Sequence, residues 1–279
     1  MSVRIAHLSD IHFGGEVADA VEAAIGAIEA FAPTLTVVSG DLTLNGLVPE
    51  FRAAARWLER LPTPRLVTPG NHDTPYWNLP LRALTPFARY RRYIGPATAT
   101  AFDSLGLAAR TLNSARGAQP RLDWSKGAIA MEPMRAIAWG DDDNALRVFI
   151  CHHPLIDIVG APVTGGVRCG DEAAAVLADA GVDLILTGHV HNPFVLPIPG
   201  AAPGRYAVGA GTLSLRTRGS PPSFSTITAG ATSIDVAVQA WTGVSFQPGQ
   251  SWTLPRGSGR IRGPVAEPGD PPGFVKALV

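Results

Sequence analysis

The sequence predicts an α/β fold with an at least partly parallel sheet, and three observations carry that reading. Short runs rich in Val, Ile and Leu, at residues 3–8, 35–39, 65–68, 146–151 and 183–187, have the unbroken hydrophobicity of strands buried on both faces. Residues 16–31, 49–61 and 171–180, lying between them, carry apolar side chains at helical spacing. Beyond residue 192 the helical spacing stops, and Val-, Thr- and aromatic-bearing runs alternate with Gly/Pro turns. Strand–helix alternation followed by strands alone is the mark of a parallel sheet extended by antiparallel strands.

Taken in order, strand 3–8 leads into helix 16–31, and strand 35–39 leads into helix 49–61. Pro49 suits a first helical position, where its missing N–H would have had no intrahelical partner. After strand 65–68 a helix bears Arg82, Arg89, Arg91 and Arg92, which form either a phosphate-facing patch on a small lid or a solvated face. Strand 146–151 precedes helix 171–180, for which Asp171 is a candidate cap, and strand 183–187 follows. Runs 194–198, 206–210, 224–228 and 233–240 read as antiparallel strands. Residues 1–254 then form one domain. Residues 255–279, with ten Pro or Gly in twenty-five positions, form a tail without regular structure. Its apolar end, Phe274, Val275, Leu278 and Val279, is expected to dock on its own domain or on a second subunit, as a homodimer.

The bulk numbers exclude several function classes. A chain of 279 residues that is 46% hydrophobic can bury a sizeable core, which excludes disorder along most of its length. Its 23 Lys and Arg balance 23 Asp and Glu, so it lacks the basic excess of a protein that tracks extended nucleic acid. No stretch supplies the roughly 20 continuous apolar residues of a membrane span, and no secretory signal is visible at the N-terminus, so a cytoplasmic location is expected. Cys151 and Cys169 read as reduced thiols rather than a disulfide framework.

Six of the seven histidines fall in short polar motifs directly after apolar runs. The motifs are Asp10-x-His12, Gly40-Asp41, Gly70-Asn71-His72-Asp73, His152-His153-Pro154 and Gly188-His189-x-His191. In open α/β sheets the carboxyl ends of the strands face the ligand crevice, so five strand-end motifs converge in space. Imidazoles, carboxylates and one amide, without thiolates, suit Mn, Fe or Zn. One tetrahedral ion needs three or four protein ligands. The seven candidates Asp10, His12, Asp41, Asn71, His152, His189 and His191 exceed that, which points to two ions sharing a bridging carboxylate. Asp73 and His153 are candidates to orient the ligands, with packing as the other reading for His153. Tyr76 and Trp77 either stack on a base or sugar or pack beside the site. His7, in mid-strand, reads as a core histidine.

The ordered set DIH, GD, GNHD, HHP and GHVH resembles the calcineurin-like metallophosphoesterase superfamily. Within it the chain looks most like the bacterial cyclic-nucleotide phosphodiesterases and glycerophosphodiesterases. The resemblance implies a four-layer αββα sandwich of two mixed sheets, with a dinuclear site at the strand C-terminal edge. It implies Asp10, His12 and His191 at one metal, Asn71, His152 and His189 at the other, Asp41 bridging, and His72 facing the substrate phosphate as the catalytic residue. The metals implied are Fe or Mn, with Zn as an alternative. The reaction implied is attack of a metal-bridging hydroxide on a small phosphodiester such as a 3′,5′-cyclic nucleotide. In that reaction His72 stabilises charge or protonates the leaving oxygen. Glycerophosphodiesterase or broad phosphomonoesterase activity is the alternative, and a nuclease or non-catalytic scaffold is disfavoured. Where the protein phosphatases of the superfamily carry GDxVDRG, this chain continues Leu42-Thr43-Leu44-Asn45-Gly46, without that arginine. The segment between Pro154 and His189 is too short for a large cap, and that between Asp73 and His152 leaves room for one small lid.

Overall fold

Along the first strand, β1 (Val3–Leu8), alternate side chains leave toward opposite faces, and both faces are buried. Val3 and Ile5 enter one apolar cluster and Ala6 and Leu8 another. A strand buried on both sides needs a layer on each side, and this fixes the architecture. The computed structural model describes residues 2–97, 100–158 and 166–257.

One sheet runs, from edge to edge, β12 (Phe246–Pro255), β11 (Ser233–Trp241), β10 (Ser223–Ala229), β1, β2 (Leu35–Val38) and β3 (Arg65–Val67). Strands β1, β2 and β3 are parallel, and β10 to β12 add to β1 as an antiparallel meander. The other sheet runs β4 (Ala101–Ser104), β5 (Leu107–Thr111), β6 (Leu146–Ile150), β7 (Leu184–Thr187), β9 (Tyr206–Gly209) and β8 (Phe194–Pro197). Its inner strands are parallel and its two edge strands antiparallel.

The sheets face each other across a cluster that includes Ile5, Val37, Leu146, Val148, Leu184 and Val208. Outside the first sheet, α1 (Ala18–Phe31), α2 (Val48–Arg60) and α4 (Ala88–Tyr93) contribute Ile25, Ile28, Phe51, Trp57 and Tyr90. Outside the second, α5 (Met131–Arg135) and α6 (Gly170–Asp179) pack Met134, Ala174 and Leu177 on Phe149 and Ile185. The result is the four-layer sandwich of two mixed sheets, its central strands buried on both faces as their composition demands and its edge strands β4, β8 and β12 partly exposed.

Several expectations are corrected. The first helix starts at Ala18, because Glu16 bridges to Ser214 and its carboxylate accepts from Gly14 N. Pro49 lies in the first turn of α2, which begins one residue earlier, at Val48. Asp171 does not cap α6. Cys169 holds that position, and Asp171 meets the helix's positive end in the first turn. The single arginine-bearing helix is two, α3 (Leu79–Leu84) and α4, because Pro86 forces Thr85 out of helical geometry. Strand β9 pairs antiparallel to β8, as expected, but parallel to β7 on its other side. Strand β12 escaped notice because Pro248 and Gly249 interrupt it. They are tolerated where the β11–β12 register shifts, on a sheet edge. Strand β12 ends at Pro255, and the apolar end of the tail lies outside the described residues. Among the described residues no helix is long and apolar enough to cross a membrane.

Candidate metal centre

Each motif begins where a parallel strand ends. Asp10 and His12 follow β1, Asp41 follows β2, Asn71 and His72 follow β3, His152 follows β6, and His189 and His191 follow β7. The two sheets are stitched together at this edge. The His152 ring donates from Nδ1 to Ser39 O at 2.8 Å, and Asp10 Oδ2 accepts from His189 N at 2.8 Å. A Cβ on Gly188 would fall on Ser9 Oγ and Asp10 Oδ2, so the close approach of the sheets requires glycine there.

The backbone is strained at this edge. Eight non-glycine residues among those described have positive φ, and five are Asp10, His12, Asp41, His189 and His191, at 51° to 69°. Each such residue costs about 1–3 kcal/mol and persists only where surrounding structure dictates it. The strain is thus concentrated where the motifs turn their side chains toward one point.

In the first group His12 and His191 bring their Nε2 atoms to 3.2 Å. His12 Nδ1 faces Thr43 O at 3.3 Å and His191 Nδ1 faces Arg216 O at 2.6 Å. A carbonyl only accepts, so both Nδ1 atoms carry a proton, and in the neutral ring each Nε2 presents a lone pair. Asp10 Oδ1 lies 3.1 Å from His191 Nε2 and 3.6 Å from His12 Nε2, buried and without a hydrogen bond. In the second group His152 packs its ring 5.3 Å from that of His189, and buried Asn71 leaves its Oδ1 without a partner. His152 Nε2 is 3.2 Å from Asp41 Oδ2, within ion-pair distance but not aligned for a hydrogen bond. The same Oδ2 is 3.8 Å from His12 Nε2, so Asp41 stands between the groups, its Oδ1 accepting from His72 N at 2.8 Å.

Buried polar atoms converging without hydrogen-bond partners are what a cation needs, and hard or borderline oxygen and nitrogen donors suit Mn, Fe or Zn. Asp10 with His12 and His191, and Asp10 with Asp41 and His152, each bring ligand atoms within 4.8 Å of one another. Burial resists ionisation of Asp10 and Asp41, yet the surrounding histidines hold both carboxyls well below the usual range. Burial also opposes charge on His152, but Asp41 outweighs it and raises its pKa to about 9. His189, buried and next to His152, is lowered to about 3.

His72 lies at the mouth of this cluster. Its Nδ1 donates to Leu44 O at 2.6 Å, and its Nε2 accepts from Arg216 Nη1 at 3.0 Å. Burial lowers its pKa to about 4, so the ring is neutral near pH 7. Asp73 is wholly buried, and its oxygens accept from Gly70 N, Leu42 N, Thr43 N and Thr43 Oγ1 at 2.9–3.2 Å, tying the β2 and β3 loops together. His153 has both ring nitrogens engaged, with Ser114 Oγ and Ser125 O at 2.8 Å, and its ring lies 4.6 Å from that of His189. His7 is a core histidine whose Nε2 meets Ser39 Oγ at 2.9 Å. Arg82 is buried, its Nε donating to Gly117 O at 2.9 Å, so it belongs to no solvated face. Arg89 donates to Gly46 O at 2.7 Å, while Arg91 and Arg92 are exposed.

Sequence reasoning missed Arg216 and Thr212. Both lie on the loop from β9 to β10, whose residues carry no ligand-type spacing. Thr212 Oγ1 donates to Asp10 O at 2.6 Å, while Arg216 holds His191 with its carbonyl and His72 with its guanidinium.

Residues 3–193 match the family described as calcineurin-like phosphoesterase. The chain is 27% identical over 206 residues to a probable cyclic nucleotide phosphodiesterase of Synechococcus sp., covering 70% of this chain and 76% of the relative. Among solved structures, a purple acid phosphatase from yellow lupin (Lupinus luteus) seeds is similar at a TM-score of 0.61 and 15% identity. That match covers 92% of this chain and 54% of the phosphatase. GAP50, the anchor in the inner membrane complex of Plasmodium, is similar at a TM-score of 0.56 and 14% identity, covering 92% and 89%.

Proposed function

The chain belongs to the calcineurin-like phosphoesterase family and is a hydrolase of phosphoric ester bonds. On that premise we propose that it is a phosphodiesterase using two metal ions, Fe or Mn with Zn as an alternative, on small phosphodiesters such as 3′,5′-cyclic nucleotides. The observation that carries the proposal is the set of buried side-chain atoms without a hydrogen-bond partner, Asp10 Oδ1, Asn71 Oδ1 and His152 Nε2, at one sheet edge. In this reading Asp10, His12 and His191 hold one ion, Asn71, His152 and His189 hold the other, and Asp41 lies between. Bound there, the ions supply Lewis acidity, polarising phosphoryl oxygens and making water acidic enough to act as a nucleophile near neutral pH.

The chain's own residues do the rest. Backbone carbonyls at Ser39, Thr43 and Arg216 fix the tautomers of His152, His12 and His191, so each ring is oriented before any ligand arrives. Neutral His72, its proton on Nδ1, turns Nε2 toward the cleft beside Arg216. Substrate phosphate takes the Arg216 guanidinium from His72. That supplies on a different loop the positive charge that the segment after Asp41 lacks. A zero net charge disfavours extended nucleic acid as substrate.

The test is a manganese-supplemented panel of 3′,5′- and 2′,3′-cyclic nucleotides, glycerophosphodiesters, bis(p-nitrophenyl) phosphate, p-nitrophenyl phosphate and single-stranded DNA, with metal analysis of the same preparation. Cleavage of the small diesters above the monoester and the DNA supports the proposal. Preference for the monoester or the DNA contradicts it.

A further inference from the structure

Beside His72 the surface opens into a cleft of about 630 Å³ reaching from Asn71 and Arg216 out to Trp77 and Leu122. That size suits a small-molecule ligand. The unusual feature is its wall. Of the nine large apolar side chains exposed among the described residues, Tyr76, Trp77, Leu79 and Leu122 all line this one cleft. Trp77 is 75% exposed although it stands only five positions after a residue of the hydrolytic cluster. A site that handles only a phosphate has no use for apolar surface at its mouth, and apolar surface gathered in one place marks recognition.

The aromatic rings are ordered outward from the cluster. The Tyr76 ring lies nearly parallel to that of His72, at 9° and 6.3 Å between centroids. Trp77 stands edge-on to Tyr76 at 4.9 Å and 76°. Trp124 also lines the cleft, as does Arg82, whose guanidinium lies 5.8 Å from the indole centroid and bonds Gly117 O. Arg216, on the cleft floor beside His72, supplies the anion contact. The cleft therefore joins a cationic group beside His72 to three aromatic rings, with Asp123 next to Trp124 on its lining.

We propose that this cleft is a nucleobase subsite, with Trp77 and Trp124 stacking on the base of a nucleotide whose phosphate lies at His72 and Arg216. It rests on the phosphodiesterase reading only for the position of the phosphate. It narrows the substrate class to nucleoside-bearing diesters, because glycerophosphodiesters offer these rings nothing planar to stack on.

The experiment is calorimetric titration of the manganese-loaded full chain with adenosine 5′-monophosphate and with ribose 5-phosphate, which differ only in the base. Stacking of one base on an aromatic side chain predicts a preference for the nucleotide of about 10-fold or more. Trp77→Ala reduces that preference toward one, and Trp77→Phe, which keeps a π-face, restores most of it. Equal affinity for the two ligands, no binding of either, or a preference that survives Trp77→Ala overturns the proposal. So does a face that instead joins two copies of the chain, seen as a dimer that Trp77→Ala converts to monomer without any base preference. Hydrolysis of bis(p-nitrophenyl) phosphate by the same wild-type preparation reports separately on the phosphodiesterase reading. A base preference without hydrolysis leaves the subsite standing and removes the reaction.

Discussion

The Nε2 atoms of His12 and His191 face each other at 3.2 Å, each ring having turned its Nδ1 to a backbone carbonyl on its far side. In the neutral rings two lone pairs at that distance repel, and Asp10 Oδ1 adds negative charge to the same spot. A cation turns each of these contacts from repulsive to attractive. Metal removal is therefore expected to destabilise the fold itself. Ligand at 100 times its Kd stabilises by about 2.7 kcal/mol, and each kcal/mol moves Tm by about 2–4 °C in a domain of this size. Calorimetric scans before and after chelation should differ by about 5–10 °C, with recovery on adding manganese. An unchanged Tm contradicts this expectation.

Asp73 acts through the loops rather than at the cluster. Burial, and then the nearby charge of Asp41, raise its carboxyl to about 6, while four donors hold it in place. Asp73→Asn replaces one acceptor oxygen with a donor facing backbone N–H groups. The expected result is a loss of metal affinity of about 10–100-fold, the usual effect of removing an orienting partner, measured by competition with a chelator of known affinity.

Two glycines should respond oppositely to the same methyl group. At Gly188 it falls on Ser9 Oγ and Asp10 Oδ2, so Gly188→Ala should push β7 away from β1 and abolish metal binding. Gly26, within α1, has nothing within 4 Å of the added carbon, so Gly26→Ala should stabilise the chain by about 0.5–1 kcal/mol. Metal analysis of Gly188→Ala and urea unfolding of Gly26→Ala, each beside wild type, read the two effects.

His7 gives a pH signature. Burial lowers its pKa from 6.5 to about 3. The folded chain therefore keeps the ring neutral in a range where the unfolded chain binds a proton. Stability is full above about pH 6.5 and falls as pH drops toward 3, by about 1.4 kcal/mol per unit and so about 2 kcal/mol by pH 5. His7→Gln, which does not titrate, should lose that much less than wild type between pH 7.5 and 5 in urea midpoints. Parallel losses in the two proteins would mean that His7 carries none of the acid sensitivity.

The five ligand-type motifs were legible because each directly follows an apolar run. Strand ends of an α/β sheet share one edge, so Asp10 and His191 could be placed together across the length of the domain. Asp73 was legible as a residue beside the cluster because it neighbours Asn71 and His72 in sequence, whereas the ring of His153 is engaged by Ser114 and Ser125. Arg216 was not, since its role comes from the backbone path of the β9–β10 loop. Arg82 shows the limit of reading charge alone: its neighbours suggested a solvated helix face, yet Gly117 and Trp124 bury its guanidinium. Strand β12 was missed because Pro248 reads as a strand breaker, and only its edge position makes it harmless.

The central claim is that two ions held around Asp41 hydrolyse a small phosphodiester. Its most direct test is hydrolysis of bis(p-nitrophenyl) phosphate by chelator-stripped protein as manganese is added in measured equivalents. The account predicts no turnover in stripped protein and a rise that levels off at two ions per chain. Turnover without metal, or a plateau at one ion that a second does not raise, would contradict it.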